Sequence, residues 1–359
     1  TEYPRTIGKD GKLKVTRKND WTEGFYPGCL WYVYEYTNKE DWKKAAIKWT
    51  ESLEPLKKMT NHHDIGFLMY CSFGNAYRLT GNEAYKDVLV ESARSLCTRF
   101  NEKTGCIKSW NYRKSWNGKD EWFYPVIIDN MMNLELLYFA TKVTGDSVYA
   151  KVANRHAETT AKNQFREDYS NYHVVNYDAE TGEVLNQATC QGFSDNSAWA
   201  RGQAWAIYGY TMAYRETHRQ DFLDMAVHTA DFWLNHPNLP EDGIPYWDFN
   251  AGQEDYVPDW NYDPEIFKVI PRDASAAAIV ASAFLELSGY VTDGKKYSAA
   301  AAHILKSLSS PAYLAEPGTN CNFILMHSVG SIPHGEEIDV PLIYADYYYL
   351  EALMRYKNM

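Results

Sequence analysis

A six-residue pattern recurs five times along this chain: TNKEDW (37–42), TGNEAY (80–85), TGDSVY (144–149), THRQDF (217–222) and TDGKKY (292–297). Each copy begins with Thr and places an aromatic ring five residues later. Gly, Asn and Asp inside the copies supply the backbone freedom that a reversal between two helices needs. The flanking segments repeat apolar residues near i, i+3 and i+4, the spacing of one helix face, and strand-like alternation is rare. Five turns thus join ten helices. A further helix is expected over EEIDVPLIYADYYYLEALMRY (336–356), with Asp339 and Pro341 as its start signals.

About twelve helices in hairpins either stack as an open solenoid or close into a ring. The intervals between successive turns are 43, 64, 73 and 75 residues, because long loops follow each second helix. A solenoid keeps a stricter period, so the expected fold is all-α, a closed (α/α)6 barrel, as a single catalytic domain over residues 1–359.

The turns also set a level. Trp21 lies 16 residues before Thr37, Asp64 16 before Thr80, Asp129 15 before Thr144 and Arg201 16 before Thr217. At a helical rise of ~1.5 Å per residue, all four are expected roughly 22–24 Å from their turns, on the opposite rim. The long, aromatic-rich loops enter at that rim, and loops converging on a rigid scaffold are where function is expected.

The net charge of −11 argues against nucleic acid or an anionic membrane as partner. An anionic substrate would need a local cluster of donors. The longest apolar stretch, AAAIVASAFLEL (276–287), is too short to span a membrane. The chain opens at Thr1 with no targeting segment, which reads as processed or trimmed and is compatible with export. Six scattered cysteines lack any CxxC spacing, so free thiols rather than structural zinc are expected. The 29 Tyr, 12 Trp and 14 Phe either fill a large core or provide platforms for sugar rings.

Three readings compete for NHHDIGF (61–67). Adjacent helical side chains point about 100° apart, so His62 and His63 make a poor metal pair, and no metal is expected. Asp64 and Asp129, each at a helix entrance, suit N-caps. Two carboxylates at one level instead suit an acid–base pair, since facing carboxylates push their pKa values apart. A donor-rich set follows: His173, Gln191 and Arg201, beside Trp199 and Trp205. Arg201 is either a structural ion-pair partner or the bidentate anchor of a substrate carboxylate.

WTEGFYPGCLW, HHDIGF, IIDNMMNLELLYFA, the His173 region and SDNSAWARGQAW together resemble the unsaturated glucuronyl hydrolases, glycoside hydrolase family 88. The likeness runs over nearly the whole chain, and the family fold is an (α/α)6 barrel. Members act on the 4,5-unsaturated uronic acid at the non-reducing end of lyase-generated oligosaccharides, hydrating the C4=C5 bond without metal or nucleotide cofactor. The resemblance implies that Asp129 is the general acid/base and Asp64 its partner. It implies that His63 lines the same pocket, that His173, Gln191 and Arg201 hold the uronate and its hydroxyls, and that Trp21, Phe25, Trp110 and Trp205 pack around the sugar. HSVGSIPHG (327–335) matches the loop for the second sugar through Ser328 and Ser331, with Pro333 where some members carry a base for sulfate. The alternatives are an unsaturated rhamnogalacturonyl hydrolase, a sugar epimerase or isomerase, and a non-catalytic sugar-binding protein. HHDIGF argues against the first, aspartates where epimerases use histidines against the second, and paired carboxylates against the third. The partner expected is a small unsaturated uronyl oligosaccharide. The compartment expected is the periplasm, with the cytoplasm as the alternative.

Overall fold

The computed structural model describes residues 2–16, 19–115, 117–258, 260 and 269–359. Its helices are α1 (Phe25–Thr37), α2 (Glu40–Glu51), α3 (Ile65–Met69), α4 (Asn75–Thr80), α5 (Glu83–Cys97), α6 (Leu134–Thr144), α7 (Val148–Asn163), α8 (Ala200–Thr217), α9 (Gln220–Asn235), α10 (Ala274–Leu287), α11 (Gly294–Leu308) and α12 (Ile343–Lys357). A π turn, Tyr70–Gly74, joins α3 to α4, and a 3-10 turn, Ile128–Asn133, leads into α6.

Contacts arrange these as an (α/α)6 barrel. The inner ring runs α1, α3–α4, α6 with its 3-10 turn, α8, α10 and α12, and α12 packs back against α1 to close it. Outside, α2, α5, α7, α9 and α11 lie against the ring. Burial follows position. The α8 helix is buried without a break from Ala200 to Ala213, as a helix enclosed on all sides should be, whereas α11 buries one stripe, Tyr297, Ala301, Ile304, Leu305 and Leu308. One continuous apolar cluster reaches from Tyr3 to Ala352. Much of the aromatic content serves that core, with Trp31 and Trp233 fully buried.

The Thr turns share one chemistry. The hydroxyls of Thr37, Thr80, Thr144 and Thr217 donate to the carbonyls of Val33, Ala76, Ala140 and Ala213, at 2.6–2.7 Å. The next residues, Asn38, Gly81, Gly145 and His218, take left-handed backbone with φ of 52°, 64°, 74° and 55°. Each hydroxyl oxygen then accepts the N–H two residues on, so one Thr closes one helix and starts the reversal. The fifth copy differs: α10 ends at Leu287, five residues before Thr292, and a looser turn connects it to α11.

Three further expectations are corrected. Residues Glu336–Val340 form a strand paired with Ser328–Ser331, and α12 starts only at Ile343. Short antiparallel strands are also common in the rim loops, among them the hairpin Arg113–Lys114/Glu121–Trp122 and a sheet of Pro125–Ile127, Val174–Tyr177 and Val184–Ala188. The uniform rise assumed above does not hold either, because Trp21 precedes α1 and the π and 3-10 turns interrupt the other helices. The four residues meet nonetheless, because every inner helix starts at the same rim.

Candidate active site

A cleft of about 240 Å³ opens at that rim, lined by Trp21, Asp64, Trp110, Asp129, Gln191, Arg201 and Ser331 among the residues expected there. Phe25, His63, His173, Trp205 and Ser328 sit directly behind the lining and are buried. Phe25 lies edge-on beneath Trp21 at 5.7 Å between ring centroids, and Trp205 packs on Phe67 at 5.2 Å. A larger cavity of about 860 Å³ at the Thr-turn end includes Glu135, Arg215, Glu286, Glu351 and Arg355. Those charges answer one another: Arg215 pairs with Glu135 and Glu286, and Arg355 with Glu286 and Glu351. The small cleft, by contrast, is walled by polar atoms without partners. Among the described residues, Asp129 Oδ2, His173 Nε2, Arg201 Nε, Trp205 Nε1 and Ser328 Oγ are buried and make no hydrogen bond. Buried polar groups are rarely left so unless something else completes them.

Asp64 occupies the N-cap position of α3, yet its side chain takes no capping hydrogen bond. Its carboxylate turns to the preceding histidines instead, with Oδ2 3.2 Å from His62 Nδ1 and Oδ1 3.3 Å from His63 Nε2. Two histidines on different oxygens of one aspartate are not a metal site. Among the described residues no group of three His, Cys, Asp or Glu side chains could hold a metal ion. His63 is held by Asn133, whose Oδ1 accepts the Phe67 N–H at 2.9 Å and so aims Nδ2 at His63 Nδ1, 3.4 Å away. That leaves the hydrogen of a neutral His63 on Nε2, facing Asp64. Burial brings His63 down to a pKa of about 4, so it stays neutral. Gly66 permits this arrangement: a Cβ there would lie 2.4 Å from Asn133 Oδ1 and 2.5 Å from its Cα.

Asp129 sits in the 3-10 turn that opens toward the same cleft. Its Oδ2 lies 3.6 Å from His173 Nε2. His173 Nδ1 accepts the backbone N–H groups of Cys190 and Gln191, both at 3.1 Å. Burial, with the charges of Arg201 and Arg113, holds His173 far below its usual pKa, so it is a neutral Nε2–H donor.

The two aspartates are about equally enclosed, with side chains 13% and 11% exposed for Asp64 and Asp129. Solvation therefore does not separate them; their neighbours do. For Asp129, burial lifts the carboxyl to about 7; the Arg201 charge opposes this and the Asp64 charge adds to it. For Asp64, burial raises the carboxyl too, but His63, His62 and Arg99 outweigh it and bring the pKa below the usual value. At neutral pH one cleft thus holds an ionised carboxylate beside one that readily carries a proton.

Arg201 enters from the first turn of α8 and is buried. Its Nη1 bonds Asp273 Oδ2 at 3.1 Å and the Val329 carbonyl, and Nη2 bonds the Gly330 carbonyl at 2.7 Å. Most of its donors are therefore engaged by protein, tying strand Ser328–Ser331 to the N-terminus of α10. Gln191 Nε2 donates to the same Gly330 carbonyl at 3.0 Å. The ionisable lining residues not singled out as site candidates from sequence include Arg5, Arg113, His334, Glu336 and Glu337. They come from an N-terminal strand and two rim hairpins, which carry no periodic signal.

A helical barrel whose mouth holds a protonatable and an ionised carboxylate among buried aromatics is a scaffold for acid–base chemistry. Residues 3–236 match the model of Glycosyl Hydrolase Family 88, and the chain belongs to that family. It is 50% identical to the unsaturated glucuronyl hydrolase of Formosa agariphila, over 99% of this chain and 85% of that protein. It superposes with a TM-score of 0.92, at 48% identity, on an unsaturated glucuronyl hydrolase specific for heparin, covering 99% of this chain and 91% of that one. A substituted unsaturated glucuronyl hydrolase from Streptococcus agalactiae, solved with dGlcA-GalNAc6S, superposes with a TM-score of 0.80 at 33% identity, covering 100% of this chain and 86% of that one.

Proposed function

We propose that this enzyme hydrates the C4=C5 double bond of a 4,5-unsaturated uronic acid at the non-reducing end of a lyase-generated oligosaccharide. The relatives named above, and the dGlcA-containing ligand of one of them, support the substrate class. The observation that carries the chemistry is that Asp129 and Asp64 line one cleft with different neighbours, Asp129 beside His173 and Asp64 between His62 and His63, which favours a proton on the first and a charge on the second.

In this reading the Asp129 carboxyl gives its proton to C4, and the positive charge left at C5 is shared with the ring oxygen. Water adds to C5 and returns a proton to the Asp129 carboxylate, so the acid is regenerated. The product is a hemiketal. Cleavage of its C5–O5 bond leaves a keto group at C5 and a hemiacetal at C1, and collapse of that hemiacetal releases the next sugar as an alcohol. Asp64, fixed by His62 and His63, stays ionised and stabilises positive charge at C5. His173 orients Asp129, while Trp21 and Trp110 offer ring faces to the sugar. Arg201 holds strand Ser328–Ser331 in place, and Gln191 and Ser331 face the adjoining sugar.

The test is a panel of lyase-generated disaccharides followed by ultraviolet absorbance of the conjugated alkene. Loss of absorbance with release of the reducing-end sugar supports the reading. Persistent absorbance across the panel would exclude it.

A further inference from the structure

Three arginines line the cleft, and they differ in what they already bind. Arg5 gives Nε and Nη2 to Glu337, at 2.5 and 3.0 Å, and Nη1 to Asp20. Arg201 is engaged by Asp273 and two carbonyls, as described. Arg113 has no carboxylate within ion-pairing distance among the described residues. Its polar contact there is Nη2 to His334 Nε2, at 3.3 Å.

That contact defines the local donors. A guanidinium can only donate, so His334 Nε2 accepts and the ring's hydrogen is on Nδ1. His334 Nδ1 lies 2.6 Å from Ser331 Oγ and donates to it, which frees the Ser331 hydroxyl hydrogen for another acceptor. Arg113 keeps Nε–H, both Nη1 hydrogens and one on Nη2 uncommitted. The guanidinium is stacked over Trp110, 4.6 Å from the ring, which keeps its plane fixed without using a donor. Trp110 meets His173 edge-on at 6.2 Å, and His173 is the neighbour of Asp129. Arg113 is therefore linked to the acid through two rings, Trp110 and His173.

The cleft also carries the carboxyl groups of Asp64, Asp129, Glu336 and Glu337, of which Glu337 is paired with Arg5. An anionic substrate needs one cation whose charge is not already answered. The geometry points to Arg113, with the Ser331 hydroxyl, as the anchor of the substrate's anionic substituent. This assignment rests on the uronide reading above and names the specificity residue of that same site. Two sources share the chemistry: the uronate carboxylate itself, or a sulfate ester on the adjoining sugar. Arg recognises either through a planar, two-pronged contact that Lys cannot reproduce.

The experiment measures binding of an unsaturated disaccharide in unsulfated and sulfated forms by calorimetry. The Asp129→Asn background removes turnover, with Arg113 intact or changed to Met or Lys. Arg113→Met should weaken binding by about 10- to 100-fold, the range for losing one charge-assisted contact. Equal loss on both ligands assigns the carboxylate, and loss confined to the sulfated ligand assigns the sulfate. Arg113→Lys should recover only part of either loss, and all variants should melt with the parent. Affinities within twofold of the parent on both ligands overturn the assignment. Alkene consumption by the unmodified enzyme is read separately, so failure of the uronide reading would show there and not in the binding ratios.

Discussion

His173 Nε2 and Asp129 Oδ2 face each other at 3.6 Å, both buried and neither with another partner among the described residues. Because two backbone amides hold His173 Nδ1, the imidazole can only offer a hydrogen to Asp129. Oδ2 thus faces that N–H across 3.6 Å, a polar contact longer than a hydrogen bond, and Oδ1 is left to carry the transferable proton.

We predict that His173→Phe, which keeps the ring on Trp199, lowers kcat by about one decade, because an N–H dipole facing the Asp129 carboxyl is removed. Losing that donor destabilises the Asp129 carboxylate, so its pKa rises and the alkaline limb of the pH–rate profile moves up. A lower rate with an unmoved limb would mean that His173 is only structural.

Asp129 should also be legible in stability. Its folded pKa of about 7 lies above the ordinary carboxyl value, so the native state binds this proton more tightly than the unfolded chain. Stability from this group is present below the unfolded pKa, is lost as pH rises from about 4 to about 7, and stays lost above that. Asp129→Asn has no charge to bury. It should be more stable than the parent at pH 8 by up to about 4 kcal/mol, and the difference should vanish toward pH 4. Denaturant melts at the two pH values measure it, and a pH-independent difference would contradict the burial of this charge.

Gly66→Ala should damage fold and activity together. The added methyl meets Asn133, which holds both the Phe67 amide and His63. Overpacking of this kind costs about 1–3 kcal/mol. A melting temperature equal to that of the parent would show that Asn133 can move aside.

Arg201→Met should destabilise by about 3–5 kcal/mol, because it leaves the Asp273 carboxylate buried without its cation. Asp273→Asn added to that variant should recover part of the loss. If Arg201→Met raises KM with no change in melting, the arginine is a substrate anchor instead of a tether.

Much of this was readable before the structure because it is local. The Thr turns hold their chemistry within six residues, so four of the five hairpins followed the pattern closely, and the rim residues met as expected although the uniform rise behind that expectation did not hold. Asp64 and Asp129 stood out for the same reason, each in a short motif at a helix entrance. What could not be read depends on distant pairing. Glu336–Val340 becomes a strand only because Ser328–Ser331 lies beside it, and the partner that occupies Arg201 is 72 residues away. Asn133, which determines how His63 meets Asp64, is 70 residues from that histidine. Arg113 rides on a two-residue strand where no periodicity marks it.

In the proposed mechanism Asp129 protonates carbon and not a glycosidic oxygen. Running the reaction in heavy water and examining the uronic acid product by NMR tests it directly. One deuterium is expected at C4 with the unmodified enzyme, and no turnover by Asp129→Asn although that variant still binds substrate. Product without deuterium at C4, or full activity in Asp129→Asn, would contradict it.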